Sequence, residues 1–294
     1  MAGSAEIKTR IGSITETKKV TDAMYMISSV KMRKARREIE KTTPYFRAVR
    51  EEIGELLHYI PENSDRYLKN QDPDGIVGRA LLLITSDKGL SGNYNHAAIK
   101  MAEEQLKAHE DMILFNVGEY GWNYFQNKKY PKAEDFRYSA AFPTIWKAKK
   151  ITGELIRYYD NDVVDEIDII YTHYHAGKPG ECRVRCLLPL DKTEFYDSNE
   201  FELPFGKEYY PDPVTVLDGI VPSLITGFIY SALVDSYCSE QDARMTAMNT
   251  AGNNAEDILK SLKQEYNSIR QSVITREMTE LTSGSKALRK KRGS

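Results

Sequence analysis

The chain has 294 residues, of which 41% are hydrophobic and 29% charged, with a formal net charge of −2. This composition is that of an ordinary folded protein, so disorder over the whole length is excluded, and the length allows one large domain or two modest ones. The sequence has no evident apolar run approaching the ~20 residues of a membrane span. The first ten residues lack the apolar core of a signal peptide. Three cysteines, with Cys182 and Cys186 too far apart along one strand to bridge, indicate a reduced cytoplasmic setting.

Residues 1–61 are predicted to form a long helix. No proline occurs before Pro44, and apolar side chains recur at helical spacing, interrupted by Thr17 and Thr21. The stripe comprises Ile7, Ile11, Ile14, Ala23, Ile27, Val30 and Ile39. Pro44 is expected to bend the helix or to begin a new turn. Residues 62–78 are predicted to be a linker.

Residues 79–213 are predicted to form an α/β domain. Short apolar segments typical of strands alternate with helical segments, which favours a mainly parallel, Rossmann-like sheet. The strands are predicted at 80–85, 112–117, 167–174 and 183–190, and the helices at 93–109, 119–128 and 144–160. Residues 191–215 are predicted to be a loop-rich return.

A second long helix is predicted over residues 214–284, followed by a basic tail at 285–294. The last proline is Pro222, and the apolar residues after it are spaced three or four apart, as in the seam of a coiled coil. They are Met248, Ala251, Ala255, Ile258, Leu262, Tyr266, Ile269 and Val273. About 60 helical residues would extend about 90 Å, whereas a compact globule of this chain length would be only about 50 Å across. The helix is therefore expected to project and to need a partner.

The predicted fold class is α/β: a long antiparallel coiled coil of the N- and C-terminal helices with an inserted Rossmann-like domain. Residues 7–41 carry ten basic and four acidic side chains, and residues 239–283 carry five and seven. These charges suit an antiparallel pair, although a solvated face is the commoner meaning of such a run of charges. The basic tail lacks interleaved aromatic residues, so nucleic-acid binding is not expected.

Two segments carry residue types that occur in binding or metal sites. The turn from Thr85 to Asn93 follows a strand and precedes a helix, where α/β folds bind phosphates. It matches neither G-x-G-x-x-G nor G-x-x-x-x-G-K-[ST], so a simple tight turn is the preferred interpretation. His173 and His175 share one face of a predicted strand, but no third ligand with metal-site spacing follows. We therefore predict no catalytic residue, no metal and no cofactor.

The two ends of the chain carry the most distinctive motifs. Thr21–Ala35 matches T-x-A-M-x-M-x-x-x-x-K-x-x-x-A, and Ser239–Met248 matches S-E-x-x-A-R-M-x-A-M. Tyr266–Glu280 matches Y-N-x-x-R-Q-x-x-I-T-x-E-[IL]-x-E, with Met278 at the Ile/Leu position. In the middle, ITSDKGLSGNYN and LLPL (residues 187–190) fit the same pattern. Together these motifs resemble the gamma subunit of F-type ATP synthase, of bacterial type.

The resemblance implies a non-catalytic central-stalk rotor that couples ion translocation to ATP synthesis or hydrolysis. The implied partners are the alpha and beta subunits of the catalytic ring, the epsilon subunit and the membrane rotor ring, with no nucleic acid and no direct small-molecule substrate. The implied location is the cytoplasmic face of the bacterial plasma membrane. Met24, Arg244, Arg276 and Glu280 match positions where the shaft contacts the ring. Ser91, Asp242 and Arg276 depart from the commonest family residues.

Two other classes of function fit parts of the pattern. A coiled-coil scaffold with an α/β knob explains the helices but not the end motifs. An α/β nucleotide-binding enzyme with a helical dimerisation arm predicts that the isolated chain binds a free nucleotide.

Overall fold

The computed structural model describes residues 4–61, 66–68, 78–195 and 207–292, with only the backbone described for Ser4 and residues 285–292. The helices are α1 (Ser4–Leu56), α2 (Tyr94–Ala108), α3 (Glu119–Phe125), α4 (Ile145–Asp160) and α5 (Pro213–Arg292). The strands are β1 (Arg79–Ile84), β2 (Ile113–Val117), β3 (Glu166–His173) and β4 (Glu181–Leu188). Most of the predicted linker lies outside the described residues, and so does the middle of the predicted loop-rich return, residues 196–206. The domain limits given above stay a prediction.

The chain divides into two compact units. The smaller unit contains the ends of the chain, Met1–Ile27 and Met245–Ser294, and the larger contains Ser28–Arg244. Helices α1 and α5 each contribute to both units.

The larger unit is built on a four-stranded sheet of order β2-β1-β3-β4. Strand β1 pairs in parallel with β2 and β3, and β4 runs antiparallel beside β3. The prediction of an α/β domain with a mainly parallel sheet, inserted in the chain between two long helices, is confirmed, and the antiparallel β4 makes the sheet mixed. Both faces of the inner strands are covered, and this explains why β1 is a continuous apolar run instead of an alternating one.

Alternate residues of each strand face opposite layers of the larger unit. Leu81 and Leu83 of β1 pack with α2 and α3, including Ala98, Ala102 and Phe125. Leu82 and Ile84 belong to the other core, which contains buried residues of α1, α4 and α5. The sheet is therefore the middle of three layers.

Helix α5 supplies much of that second core. Its buried side chains include Leu217, Val221, Ile225, Ile229 and Leu233. Within Pro213–Gly284, one 18-residue window is long and apolar enough to cross a membrane, with a mean hydropathy of 1.6. We expected no such run, so that expectation is corrected. Since 56% of the window is buried inside the protein, as in any core helix, it is weak evidence for a membrane span.

Helix α1 continues through Pro44, so the predicted new turn does not occur. Proline removes one helical hydrogen bond, and here the loss is accompanied by packing of the next turn against α5. The ring of Phe46 lies 6.5 Å from that of Tyr230, centroid to centroid. A Cβ atom on Gly227 would lie 2.4 Å from Cδ1 of Phe46. Glycine at this position therefore lets the aromatic ring lie against the α5 backbone.

In the smaller unit α1 and α5 run antiparallel. Lys18 Nζ lies 2.7 Å from Glu256 Oε2, and a Cβ on Gly252 would lie 3.5 Å from Thr21 Oγ1. Residue numbers thus rise along one helix as they fall along the other. Ile7 is fully buried, and Met248, Ala255 and Leu262 are almost completely buried.

Some of the predicted seam residues are wrong in both helices, although Ile7, Met248, Ala255 and Leu262 are buried as predicted. On α5, Gly252 and Leu259 face the partner helix instead of Ala251 and Ile258, since Ile258 is 44% exposed and Leu259 only 9%. The buried positions 248, 252, 255, 259 and 262 then keep a strict four–three spacing. On α1, Thr21 is buried, whereas Ala23, Ile27 and Val30 are exposed.

The sheet also predicts a pH dependence. Burial, followed by the nearby Glu166 carboxylate, raises the pKa of Asp168 on β3 to about 6. The unfolded chain ionises this group near its ordinary value, so its contribution to folding stability falls as the pH rises from about 4 through 6. Asp168→Asn should therefore raise the free energy of unfolding by about 2 kcal/mol at pH 7.5. At pH 3.5 the Asp168 carboxyl is mostly protonated in both the folded and the unfolded chain, so Asp168→Asn should then leave the free energy of unfolding almost unchanged.

Urea unfolding at the two pH values measures the effect, with the exposed Asp111→Asn as the matched control. An equal change at both pH values would show that the amide, and not the lost charge, is responsible.

Candidate functional site

The outer face of α1 in the smaller unit reverses the usual pattern of a paired helix. Val20, Ala23 and Ile27 recur at intervals of three and four residues, so they lie on one face. Val20 is 57% exposed and Ile27 53% exposed, whereas the polar Thr21 is buried against α5. A contiguous apolar face left open to solvent is typical of a surface that contacts another protein.

Met24 borders this outer face. It is half-buried and lies three residues beyond the buried Thr21. Its neighbours along the helix, Tyr25 and Met26, are exposed. The structure thus places Met24 between the paired face and the outer face.

The C-terminal part of α5 presents a second open surface. Every side chain from Gln271 to Gly284 is exposed, including large apolar ones. These are Val273, Ile274, Met278 and Leu281. Because this helical segment buries no apolar stripe against the rest of the described chain, little tertiary packing stabilises it. This favours the interpretation that another protein packs on the segment.

Arg276 and Glu280 lie on this exposed segment, one turn apart. Arg276 Nε is 3.8 Å from Glu280 Oε1, and the two side chains are 78% and 72% exposed. An exposed pair of this kind contributes about 0.3–0.5 kcal/mol. Both charged groups are therefore available to other partners at small cost.

Arg244 is in a different environment, within the larger unit. It is only 8% exposed, and its Nη2 donates hydrogen bonds to Glu240 Oε1 at 2.6 Å and to the carbonyl oxygens of Lys88 and Gly89 at 3.2 and 3.1 Å. Burial raises the pKa of Glu240, and the Arg244 guanidinium opposes that rise. The arginine of the S-E-x-x-A-R-M motif thus binds the Thr85–Asn93 turn. Sequence reasoning missed Glu240 as its partner, although the i,i+4 spacing was a usable signal.

Ser86 and Asp87 of the Thr85–Asn93 turn are hydrogen-bonded within the protein. Ser86 N donates to Asn95 Oδ1 at 2.9 Å, and the Asp87 carboxylate accepts from the backbone N–H groups of Ala140 and Ala141 at 2.9 and 3.0 Å. Burial opposes ionisation of Asp87, but these bonds and one from Ser139 hold its pKa below the ordinary value. This arrangement favours the structural interpretation of the turn over a phosphate site.

The histidines and cysteines form ordinary contacts. His173 Nδ1 lies 2.5 Å from Asp235 Oδ2, and His175 Nε2 lies 3.7 Å from Glu181 Oε2. No group of three or more His, Cys, Asp or Glu side chains with metal-site geometry occurs among the described residues. No disulfide joins Cys182, Cys186 and Cys238, which all lie among the described residues.

The two pairs of Arg and Glu with i,i+4 spacing, one buried and one exposed, should differ in how much they contribute to stability. Arg244→Gln leaves the Glu240 carboxylate buried without its cation and frees two carbonyl groups, so the free energy of unfolding should fall by about 3 kcal/mol. Arg276→Gln is the matched control and should change it by no more than about 0.5 kcal/mol. Urea unfolding of both variants measures the difference.

Hydrogen exchange distinguishes local loosening of the turn, caused by the lost Arg244 hydrogen bonds, from a general loss of stability. Amides of residues 86–92 should lose protection in Arg244→Gln before those of β1. If the two variants unfold at the same urea concentration, the buried pair does not stabilise the turn.

The chain was compared with known proteins. A family model described as ATP synthase matches residues 3–288. The ATP synthase gamma chain of Acetivibrio thermocellus is 39% identical over 295 residues, covering 98% of this chain and all of the relative. The ATP synthase gamma chain of Caldanaerobacter subterraneus subsp. tengcongensis is 38% identical, covering 96% of this chain and 99% of the relative.

A solved structure has the same fold. A chain of the Euglena gracilis mitochondrial ATP synthase, in a cryo-EM structure of the OSCP, F1 and c-ring assembly, superposes with a TM-score of 0.63. The alignment covers 97% of this chain and 95% of the other at 16% identity. With the end motifs and the full-length matches, these findings lead to one conclusion: the chain belongs to the ATP synthase gamma-chain family, whose members are rotor subunits of that complex.

Proposed function

We propose that this chain is the non-catalytic shaft of an F-type ATP synthase, turning inside a ring of alternating alpha and beta subunits. The observation that carries the proposal is the inverted surface of the paired helices: Thr21 is buried while Val20 and Ile27 are exposed. A coiled coil that contacts no other protein would bury the apolar side chains and expose the polar one. In a gamma-chain family member, the surrounding ring is the partner that such a surface fits.

In this proposal the catalytic nucleotides are held by the beta subunits, and this chain changes their conformation. A shaft whose sides differ contacts each beta subunit differently, so each site is biased toward a different conformer through differential contacts. Rotation then carries every site through binding, synthesis and release. The larger unit would dock on the epsilon subunit and the membrane rotor ring, at the cytoplasmic face of the bacterial plasma membrane.

The proposed ring contacts are Met24, Arg244, Arg276 and Glu280. Met24 is half-buried at the edge of the outer face, and an unbranched thioether can slide past neighbours without directional bonds. Arg276 and Glu280 are exposed and only weakly paired, so they can exchange partners during rotation. Arg244 is buried in the isolated chain, and its contact with the ring would require release from Glu240.

The experiment that tests the proposal is reconstitution. The purified chain is mixed with alpha and beta subunits from the same source, and the complex is isolated by size and assayed for ATP hydrolysis. We expect one copy of the chain per ring and a large rise in turnover over alpha and beta alone. Failure to form a complex, together with nucleotide turnover by the chain alone, would favour the enzyme with a helical arm.

The substitution Met24→Lys should weaken the coupling between ATP hydrolysis and ion transport. The added ammonium group can bind carboxylates of the ring and resist sliding, so ATP-driven ion pumping per ATP hydrolysed should fall several-fold in reconstituted vesicles. Met24→Leu, which keeps an apolar side chain of similar volume, is the control and should retain pumping. Unchanged coupling in Met24→Lys would remove this residue from the contact surface.

A further inference from the structure

A cavity of about 270 Å³ lies between α1 and α5 within the larger unit. Its apolar lining includes Phe46, Leu224 and Phe228, and its cationic lining consists of Arg47 and Arg50. The position of the cavity is set by Gly227, because the missing side chain lets the Phe46 ring lie directly on the α5 backbone. The result is a recess with an aromatic floor beside two guanidinium groups.

The arginines around the cavity differ in how far they are already engaged. Arg50 Nη2 donates to the carbonyl oxygen of Glu194 at 2.8 Å, and its guanidinium lies 5.6 Å from the Phe195 ring centroid. Arg185 lies 4.5 Å over the ring of Phe228 and pairs with the Glu194 carboxylate at 2.7 Å. Arg47 is exposed and has no hydrogen bond, ion pair or ring contact with any residue that the structure describes. It is therefore the cation free to meet a ligand.

The charges around the cavity are unbalanced. The guanidinium groups of Arg47 and Arg50 line it, that of Arg185 lies over the ring of Phe228, and the Glu194 carboxylate pairs with Arg185. Glu38, whose charge acts on the lining residue Tyr230, is paired with Lys41 at 2.7 Å. An anion placed near Arg47 thus meets a positive potential, and planar guanidinium groups bind carboxylate and sulfonate-type oxygens through paired N–H donors.

We propose that this cavity is a binding site for a small aromatic anion. The volume is at the small end of ligand pockets, which suits a body of one or two fused rings. The apolar body would lie on Phe46 and Phe228, and the acidic group would bind Arg47. The site is separate from the shaft–ring contacts and does not rest on the rotor function.

The probe is 8-anilino-1-naphthalenesulfonate, whose fluorescence rises in an apolar site. It is titrated into the isolated full-length chain, and the matched neutral compound N-phenyl-1-naphthylamine, which lacks the sulfonate, is titrated in parallel. We expect one saturable site that prefers the anion, and a rise in the melting temperature with probe concentration.

Three variants locate the site. Arg47→Gln should raise the dissociation constant for the anion at least tenfold and leave the neutral compound unchanged. Arg37→Gln removes an exposed arginine of the same helix that does not line the cavity, and it should bind the anion as the parent does. Thr43→Trp places a bulky side chain at the cavity wall and should abolish binding of both compounds.

Circular dichroism confirms that each variant is folded. Anion binding that survives both Arg47→Gln and Thr43→Trp would overturn the proposal, since the probe would then lie elsewhere on the chain. Equal affinity for the anion and the neutral compound would also overturn it, because the arginines would then play no part. The bound probe is also competed with small aromatic carboxylates and with a peptide that carries an aromatic residue beside a carboxylate. If only the peptide displaces the probe, the proposal is overturned and the cavity is assigned to a protein partner.

Discussion

The pairing of α1 with α5 is the interaction on which the rest of the structure depends. Isolated helices are marginal in water, and long ones become stable when an apolar face is buried. In the smaller unit that face is a narrow seam, in which Ile7, Met248, Ala255 and Leu262 are almost completely buried. In the larger unit the same two helices contribute to the core on one side of the sheet, and Gly227 brings α5 close to Phe46. Without this pairing, neither the seam nor that core could form.

The seam accounts for the surface that the shaft presents. Small and polar residues such as Gly252 and Thr21 occupy paired positions, so the helices approach closely there, and Val20 and Ile27 of α1 remain exposed. Apolar contact is non-directional, which suits a part that must move past successive neighbours. The same logic separates the two Glu–Arg pairs: the buried pair at Arg244 secures a turn, and the exposed pair at Arg276 is weak enough to exchange partners.

The larger unit combines rigid and adaptable features. Its turn at residues 85–93 is held by hydrogen bonds to Asn95 and Ala140, which lie outside the turn, and to Arg244 of α5. A few turns away along α5, the cavity beside Gly227 and Arg47 is lined by groups that could still take a ligand. Helix α5 thus carries a buried polar contact at Arg244 and, beside Gly227, a cavity with apolar and cationic lining.

The sequence by itself determined the order of elements, since apolar runs, helical spacing and proline positions are local signals, and the end motifs pointed to the family. It did not determine which residues face inward on the paired helices. Ala251 and Gly252, or Ile258 and Leu259, are adjacent and both apolar or small, so a shift of one position is invisible until the partner helix is in place. Nor could it reveal that Arg244 binds carbonyl groups 155 and 156 residues away, because such contacts exist only after the sheet and α5 have packed together. Tertiary structure made those choices, since burial depends on neighbours that are distant in the chain.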